Sequence, residues 1–217
     1  MSIRILIADD HEIVREGLRS LLEKQPDMEV IAEAENGRTT VALSRKFKPD
    51  VVIMDITMPD LNGIEATRQI VTESTGVKVL ALSMHSTRKL VTEMLSAGAS
   101  GYLLKHSAFE ELGRALHTVM GNQIYLSPKI AGVVVDDYQH CARAKTPSAL
   151  STLTNREREV LQLLAEGKST KKIASSLHVS VSTVESHRKQ IMDKLNLHSI
   201  AELTKYAISE GLTSLDT

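Results

Sequence analysis

Short apolar runs alternate with amphipathic stretches through the first part of the chain. Five runs have the length and apolar composition of buried strands, at 3–8, 29–34, 51–54, 77–82 and 101–104. The stretches that follow them have helical spacing of apolar residues, at 11–24, 38–47, 63–73, 87–97 and 108–120. This alternation predicts an α/β fold: a five-stranded, doubly wound parallel sheet with helices on both faces.

The alternation ends near residue 121. A helix can begin at Ser127 and Pro128, and the segment after it has little apolar periodicity. From Leu153 onwards the pattern is helical only, in four blocks separated by short breaks. We therefore predict three parts: an α/β domain at 1–121, a linker helix and tether at 122–150, and an all-α domain at 151–217.

Composition places this 217-residue chain among globular proteins, since 42% of its residues are hydrophobic and 24% are charged. The net charge of −1 provides no global field for nucleic acid or membranes, so such a function requires a local surface. The single cysteine, Cys141, excludes an intramolecular disulfide. No apolar run approaches the roughly 20 residues that span a bilayer, and no signal peptide precedes the first strand. We expect a cytoplasmic protein without a membrane partner.

Chemically active side chains stand where the predicted strands end. Asp9 and Asp10 follow the first strand, Asp55 the third, Ser83 the fourth and Lys105 the fifth. In a parallel sheet of this kind, ligands bind in the crevice outside the carboxyl ends of the strands. The five side chains are therefore expected to share one site.

The three acids suit a hard metal ion. Asp9, Asp10 and Asp55 offer carboxylate oxygens, and the main-chain oxygen of Thr57 can add another ligand. Mg²⁺ prefers oxygen ligands in octahedral geometry and keeps some of its waters. The sequence therefore predicts a magnesium site.

An aspartate beside Mg²⁺ can attack a phosphoryl group, because the metal neutralises charge on the phosphoryl oxygens. Lys105 would then pair with the phosphoryl group, and the Ser83 hydroxyl would donate a hydrogen bond to it. Each acid taken singly is also explained as a turn residue or, for Asp10, as a helix cap. It is the combination with Lys105 that favours a phosphoryl site with Asp55 as the acceptor.

These motifs resemble the receiver domain of two-component response regulators. The resemblance covers about residues 1–121 and rests on Asp9-Asp10, Asp55 within Val-Ile-Met-Asp-Ile-Thr-Met-Pro, Ser83 within Leu-Ala-Leu-Ser and Lys105 within Gly-Tyr-Leu-Leu-Lys. It implies a flavodoxin-like fold, Asp55 as the phosphoacceptor, Ser83 and Tyr102 as switch residues, and a donor that is a sensor histidine kinase. His106 departs from the proline that many receivers have after the lysine.

Two other functions remain open. A phosphatase of the haloacid dehalogenase type would use Asp55 as nucleophile, but it needs an aspartate where this chain has Thr57. A binding module could hold a metal in the acidic pocket without any phosphorylation. A phosphatase assay separates the first alternative, and an acid-labile phosphoryl mass shift on Asp55 excludes the second.

The second domain opens with a helix start signal. Thr154 and Glu157 have the spacing of a capping box, and Gly167 ends the helix. A short helical block begins at Ser169, and another begins at Ser180 after a tight break. Two short helices joined by a tight turn predict a helix-turn-helix.

Helical spacing after Ser180 separates an apolar side, with Val184 and Ile191, from a polar side with short and basic residues. A polar side of this kind is ordinary surface in most helices, although it also suits close approach to the major groove. Glu185 lies at the border, where it could accept from a cytosine amino group or sit in solvent. Residues 151–217 carry nine Lys and Arg against eight Asp and Glu, so charge alone does not decide.

The pattern of residues 150–212 resembles the four-helix output domain of the LuxR type. It rests on Leu-Thr-Asn-Arg-Glu-Arg-Glu-Val-Leu, Ser-Val-Ser-Thr-Val-Glu-Ser-His-Arg and Ile-Met-Asp-Lys-Leu in this order. A receiver followed by this domain is the architecture of NarL/FixJ-type regulators. The DNA contacts expected from this resemblance and from the local charge are Lys171, Lys172, Ser182, Thr183, Glu185, Ser186, His187, Lys189 and Lys194. Lys172 departs from the glutamate that the family usually has there.

The sequence is interpreted as that of a transcription regulator switched by phosphorylation of Asp55, rather than an enzyme. Its expected partners are a sensor histidine kinase, double-stranded DNA, RNA polymerase and a second copy of the chain, with Mg²⁺ as cofactor. The apolar residues of the last helix, at about 200–209, are explained equally well by packing and by dimerisation on DNA.

Overall fold

The structure is a computed structural model that describes residues 2–74, 76–141 and 149–213. It divides into two compact units, Met1–Ala144 and Lys145–Thr217. Every helix of the described residues is too short or too polar to cross a lipid bilayer.

Strands and helices alternate through the described residues of the first unit. The strands are β1 Ile3–Ala8, β2 Met28–Ala34, β3 Val51–Asp55, β4 Lys78–Ser83, β5 Gly101–Leu104 and β6 Tyr125–Leu126. The helices are α1 Glu12–Leu22, α2 Gly37–Phe47, α3 Gly63–Glu73, α4 Arg88–Ser96, α5 Ala108–Met120 and α6 Pro128–Cys141. All five predicted strands are present, within a residue or two of the expected bounds.

The strands form one parallel sheet in the order β2-β1-β3-β4-β5-β6. The prediction of five strands was therefore one strand short. Tyr125 and Leu126 pair with Gly101 and Tyr102 at the edge of the sheet. Two residues carry too little alternation to be recognised as a strand in sequence.

The segment predicted as a linker helix packs within the first unit. Helix α6 places Ile130 in the same hydrophobic core as Tyr102, and Asp137 contacts Arg88 and Thr92 of α4. The predicted tether falls mainly on residues 142–148, which lie outside the described residues.

Alternate residues of each strand enter cores on opposite faces of the sheet. In β3, Val52 and Met54 pack with helices α2, α3 and α4, whereas Val51 and Ile53 pack with α1 and α5. Both sets are fully buried. The strands read as continuous apolar runs because helices cover both faces.

A close approach beside Asp55 requires glycine at the start of α3. A Cβ atom at Gly63 would lie 1.9 Å from the main-chain oxygen of Asp55. The Gly63 amide donates to the main-chain oxygen of Ile56 at 2.8 Å. Any side chain at residue 63 would displace the carboxyl end of β3, which carries Asp55.

The second unit is helical in its described residues, as predicted. After a short 3-10 helix at Ala149–Thr152 come α7 Asn155–Ala165, α8 Thr170–Ser176, α9 Val181–Leu195 and α10 Ile200–Ser209. The capping box at Thr154 and Glu157 is formed. A second capping box, formed by Ser199 and Glu202, starts α10.

Helices α8 and α9 form the predicted helix-turn-helix. His178 adopts a left-handed conformation in the turn (φ 53°), and the side chain of Ser180 caps α9 by accepting from the Thr183 amide. Val184 and Ile191 are buried in the core of the unit. Val181, three residues before Val184 and on the same side of α9, is 44% exposed because it stands in the first turn of the helix.

Candidate functional sites

The carboxyl ends of β1, β3 and β5 bring two aspartates and a lysine into contact. Lys105 Nζ lies 2.6 Å from Asp9 Oδ2 and 3.1 Å from Asp55 Oδ2. Asp9 and Asp55 are buried, with 0% and 4% of their surface exposed. The Ile56 amide donates to Asp55 Oδ1 at 2.8 Å. Three of the five side chains expected at the strand ends, Asp9, Asp55 and Lys105, are therefore in direct contact.

Burial dominates the electrostatics of this pocket. It raises the pKa of Asp55 to about 7: Lys105 lowers this pKa, and the nearby charges of Asp9 and Asp10 raise it. Burial lowers the pKa of Lys105, yet Asp55 and Asp9 outweigh that effect and raise it above its ordinary value. Negative charge is in excess, with three carboxylates around one lysine.

The pocket fits a divalent cation. One ligand atom from each of Asp9, Asp10, His11 and Asp55 can be chosen so that all lie within 4.8 Å of one another. Three carboxylates with a single nearby lysine are a donor set for a hard ion such as Mg²⁺. Thr57 is half-buried in the loop two residues after Asp55.

His11 was not assigned to the site from sequence. Its amide donates to Asp9 Oδ1 at 3.0 Å, and its Nδ1 lies 2.8 Å from Asp10 Oδ1. The sequence signal that could have placed His11 at the site is its position directly after the two aspartates. Asp10 is not the N-cap of α1: that position is His11, whose side chain makes no capping hydrogen bond within the described residues.

Ser83 and Tyr102 meet at the loop after β4. The Ser83 hydroxyl accepts a hydrogen bond from the His85 amide at 3.0 Å, and the Tyr102 hydroxyl donates to the His85 main-chain oxygen at 2.8 Å. Both residues are buried. The two predicted switch residues therefore hold the same loop from two sides.

An apolar hollow of about 310 Å³ borders the pocket. Ile13 and Met84 on its rim are 78% and 65% exposed, and Lys105 and His106 belong to its lining. Single exposed apolar residues are common, but two beside one concave surface indicate a contact area.

The second unit presents the polar side of α9 to solvent. Ser182, Ser186 and Lys189 are exposed, as predicted, while Thr183 and His187 are partly buried. The Ser180 hydroxyl is 2.7 Å from the hydroxyls of both Ser182 and Thr183. The His187 Nδ1 is buried and has no hydrogen-bond partner in the part of the chain that the structure describes.

Among the predicted basic contacts, Lys171 and Lys172 are exposed at the start of α8. Lys194 differs, because its Nζ lies 2.8 and 2.7 Å from the two carboxylate oxygens of Glu157. Glu157 is 2% exposed. Lys194 therefore links α9 to the start of α7. Its contact with DNA stays a prediction, and such a contact would have to compete with this ion pair.

Comparisons with known proteins agree with both units. A family model described as response regulator receiver domain matches residues 5–117. A second model, for bacterial regulatory proteins of the luxR family, matches residues 151–207.

Relatives match across nearly the whole chain. The transcriptional regulatory protein DegU of Brevibacillus brevis is 36% identical, over 96% of this chain and 94% of that protein. The transcriptional regulatory protein LiaR of Bacillus subtilis is 39% identical, over 94% and 96%. The solved structure of RcsB from Salmonella typhimurium is 26% identical with a TM-score of 0.59, over 96% of this chain and 98% of that one.

A receiver fold with an acidic pocket, followed in the same chain by a helix-turn-helix unit, defines a response regulator that controls transcription. The chain belongs to the NarL/FixJ family of response regulators, whose output domain is of the LuxR type. It is a phosphorylation-switched DNA-binding regulator rather than an enzyme. The predicted family, fold class and function are confirmed.

Proposed function

We propose that Asp55 accepts the phosphoryl group and that a sensor histidine kinase donates it. The observation that carries this proposal is the contact of buried Asp55 with Lys105, which Asp9 shares. A lysine held between two carboxylates is positioned to follow new negative charge when Asp55 becomes an acyl phosphate. We place this protein in the cytoplasm, where phosphorylation of Asp55 would be the first step of the regulatory response.

The transfer is a displacement at phosphorus. An Asp55 carboxylate oxygen attacks the phosphorus of a phosphohistidine, a P–O bond forms, and the P–N bond breaks. The histidine nitrogen leaves with the bonding electrons. The Ile56 amide, which donates to Asp55 Oδ1 at 2.8 Å, restrains the carboxylate and favours attack by Oδ2, the oxygen that faces Lys105.

Asp9, Asp10 and Asp55, with the main-chain oxygen of Thr57, would hold Mg²⁺, with His11 close to the acids. Bound Mg²⁺ neutralises negative charge on the phosphoryl oxygens. The role of the protein is to keep the three acids together and to keep Lys105 between Asp9 and Asp55.

The switch we propose begins at Ser83. Its hydroxyl would turn from the His85 amide to the phosphoryl group, which loosens the loop after β4. Tyr102 would then lose its hydrogen bond to the His85 main-chain oxygen, and its side chain would move to a new position. Both movements start from hydrogen bonds that hold the same loop.

The apolar hollow lined by Ile13, Met84 and His106 is the proposed contact area for the kinase. It borders Lys105, so a partner bound there brings its phosphohistidine near Asp55. Apolar anchors surrounded by polar groups are typical of transient protein interfaces.

The proposed output is altered pairing of two copies on double-stranded DNA, with RNA polymerase as a further partner. The exposed side of α9, with Ser182, Ser186 and Lys189, is the part that would enter the major groove, and Lys171 and Lys172 would reach phosphates. RcsB, a structural neighbour, has been solved as a DNA complex and as two dimers bound to two parallel DNAs.

The test compares wild type with Asp55→Asn and Asp60→Asn, each with and without a small-molecule phosphoryl donor and Mg²⁺. We expect an acid-labile phosphoryl group, tighter binding to promoter DNA from the protein's own operon and a larger oligomer only where Asp55 is intact. Equal DNA affinity in every arm would refute the switch. Phosphorylation of Asp55→Asn would refute the assignment of the acceptor.

A further inference from the structure

An ion pair on the flank of α9 connects the two helices of the helix-turn-helix. Arg188 Nη2 lies 2.9 Å from Glu185 Oε2, and Glu185 Oε1 accepts a hydrogen bond from Thr170 Oγ1 at 3.1 Å. Thr170 is the first residue of α8. Both carboxylate oxygens of Glu185 are therefore engaged inside the domain, which weakens the expectation that Glu185 reads a base.

Helix geometry places Arg188 between two sets of residues. At 100° per residue, Glu185, Arg188 and Met192 follow one flank of α9, beside the buried line of Val184 and Ile191. The exposed line, which contains Ser182, Ser186 and Lys189, lies on the other side of this flank. A surface hollow is lined by residues of both: Ser182, Glu185, Ser186, Arg188, Lys189 and Met192.

The Arg188 guanidinium retains capacity for a ligand. It has five N–H groups, and its pairing with Glu185 uses part of them. Its side chain is 36% exposed, and it makes no other ion pair or hydrogen bond in the described residues. The remaining N–H groups of the planar guanidinium can donate to an anion that offers two acceptor oxygens, such as a phosphate.

We propose that Arg188 contacts a DNA phosphate at the edge of the major groove, and that Glu185 and Thr170 position its guanidinium. This inference rests on the proposed binding of DNA through α9. When the exposed line enters the groove, the flank faces the phosphates along its edge. Arg188 also neutralises Glu185, an acid that would otherwise repel the same phosphates.

An ordinary surface ion pair is the alternative. Glu185 and Arg188 are three residues apart on a helix, and pairs of this type stabilise folded proteins only slightly. The two interpretations differ in a measurable way, because only a phosphate contact changes the dependence of DNA affinity on salt.

The first experiment measures binding of the full chain, treated with a phosphoryl donor, to a short DNA duplex of mixed sequence over a range of salt concentrations. Phosphate contacts dominate such binding, so the operator need not be known. We expect Arg188→Gln to lower affinity equally for duplexes of different sequence and to reduce the slope of log affinity against log salt by about 1. Arg188→Lys retains the slope, since the charge remains.

Arg45→Gln is the matched control, since it removes the same charge from an exposed arginine that pairs with Glu73 in the receiver unit. It is expected to leave the slope unchanged. A slope for Arg188→Gln equal to that of wild type would overturn the contact. A loss that depends on duplex sequence would also overturn it, in favour of base reading.

The positioning role is tested at Thr170, which carries no charge. We expect Thr170→Val to weaken binding and Thr170→Ser, which restores the hydroxyl, to recover it. In the Arg188→Gln background, Thr170→Val should have no further effect, because the two residues act through one contact. Additive losses would refute the positioning role.

Two checks separate the possible failures. The unfolding temperature of each variant is compared with that of wild type. Hydrogen exchange of the second unit should also be the same in each variant as in wild type, so that a loss of affinity does not reflect a loss of folding. If wild type fails to bind DNA in every arm, the proposed function fails together with this inference. If wild type binds and the Arg188 variants bind equally well, only the inference fails.

Discussion

Each unit of this protein buries a carboxylate that contacts a lysine, yet the two pairs are built differently. Asp55 meets Lys105 in a pocket that also holds Asp9 and Asp10. Glu157 meets Lys194 and also accepts from the amide and hydroxyl of Thr154. The first pocket has excess negative charge, whereas the second has enough donors for its single carboxylate.

The difference appears in the direction of the pKa shifts. Burial raises the pKa of Asp55 to about 7, and its acidic neighbours add to this effect. Burial also raises the pKa of Glu157, but hydrogen bonds from Lys194 and Thr154 outweigh it and leave the pKa below its ordinary value. The hydrogen bonds to Glu157 favour its charged form in the folded state. A buried acid with acidic neighbours, such as Asp55, instead indicates a site that binds a cation or a charged group.

The largest expected effect is a gain in stability from Asp55→Asn in metal-free buffer. A folded pKa of about 7 against an ordinary value of 3.8 means that ionised Asp55 costs the fold up to about 4 kcal/mol above pH 7. The folded state binds the proton more tightly, so wild-type stability falls as pH rises from about 4 to about 7. Urea unfolding of the receiver unit, followed by hydrogen exchange across this pH range, measures both effects.

Asp136→Asn, at an exposed position on α6, is the control and should retain the wild-type pH dependence. Stability of Asp55→Asn equal to that of wild type near pH 8 would show that the pocket is not short of positive charge.

Mg²⁺ should produce the next largest effect. A ligand that binds only the folded state stabilises it by about 2.7 kcal/mol at a concentration one hundred times its dissociation constant. The gain is expected in the receiver unit of wild type at pH 8 and should be largely lost in Asp9→Asn, which removes a carboxylate from the cluster. Equal stabilisation of both units by Mg²⁺ would indicate nonspecific binding.

A smaller effect of opposite sign is expected in the second unit from Lys194→Met. The change leaves buried Glu157 with the Thr154 donors only, and we expect a loss of about 1–2 kcal/mol. Because the pKa of Glu157 is depressed, its contribution is present above about pH 4.5 and is lost as pH falls through the folded pKa.

Lys205→Met, on the exposed side of α10, is the matched control for Lys194→Met. Hydrogen exchange of α7 and α9 in acid titrations provides the measurement. If Lys194→Met lowers DNA affinity without affecting stability, the result would support the predicted DNA contact and contradict a structural role.

The smallest effect is expected from Tyr102→Phe. The ring stays buried and one hydrogen bond to the His85 main-chain oxygen is removed, at a cost of about 0.5–1.5 kcal/mol. Exchange of the amides at residues 84–87 should become faster, while β5 itself is unchanged. Protection of this loop equal to that of wild type would show that Tyr102 does not hold it.

Much of the molecule could be predicted because its signals are local. The apolar runs of β1 and β3 and the capping box at Thr154 each depend on a few neighbouring residues. The meeting of Asp9, Asp55 and Lys105 also followed, since parallel strands bring their carboxyl ends to one edge of the sheet.

The parts that were missed depend on contacts between distant segments. Strand β6 has two residues and exists through its pairing with β5. The pairing of Lys194 with Glu157 was missed, because the two residues belong to different helices and lie far apart in sequence. No role was assigned to Arg188 from the sequence. Glu185, with which it pairs, was itself expected to contact DNA, so the ion pair between them was not anticipated.

By itself the sequence determined the two fold classes and the positions of Asp9, Asp55 and Lys105 at the ends of strands. Periodicity and strand ends could be recognised because they are properties of neighbouring residues. Only the tertiary structure decided how charges are shared. Burial and the number of hydrogen-bond donors around each carboxylate are set when separate helices and strands pack together. As a result, Asp55 lies in a pocket with more acids than bases, whereas Glu157 has enough hydrogen-bond donors for its charge.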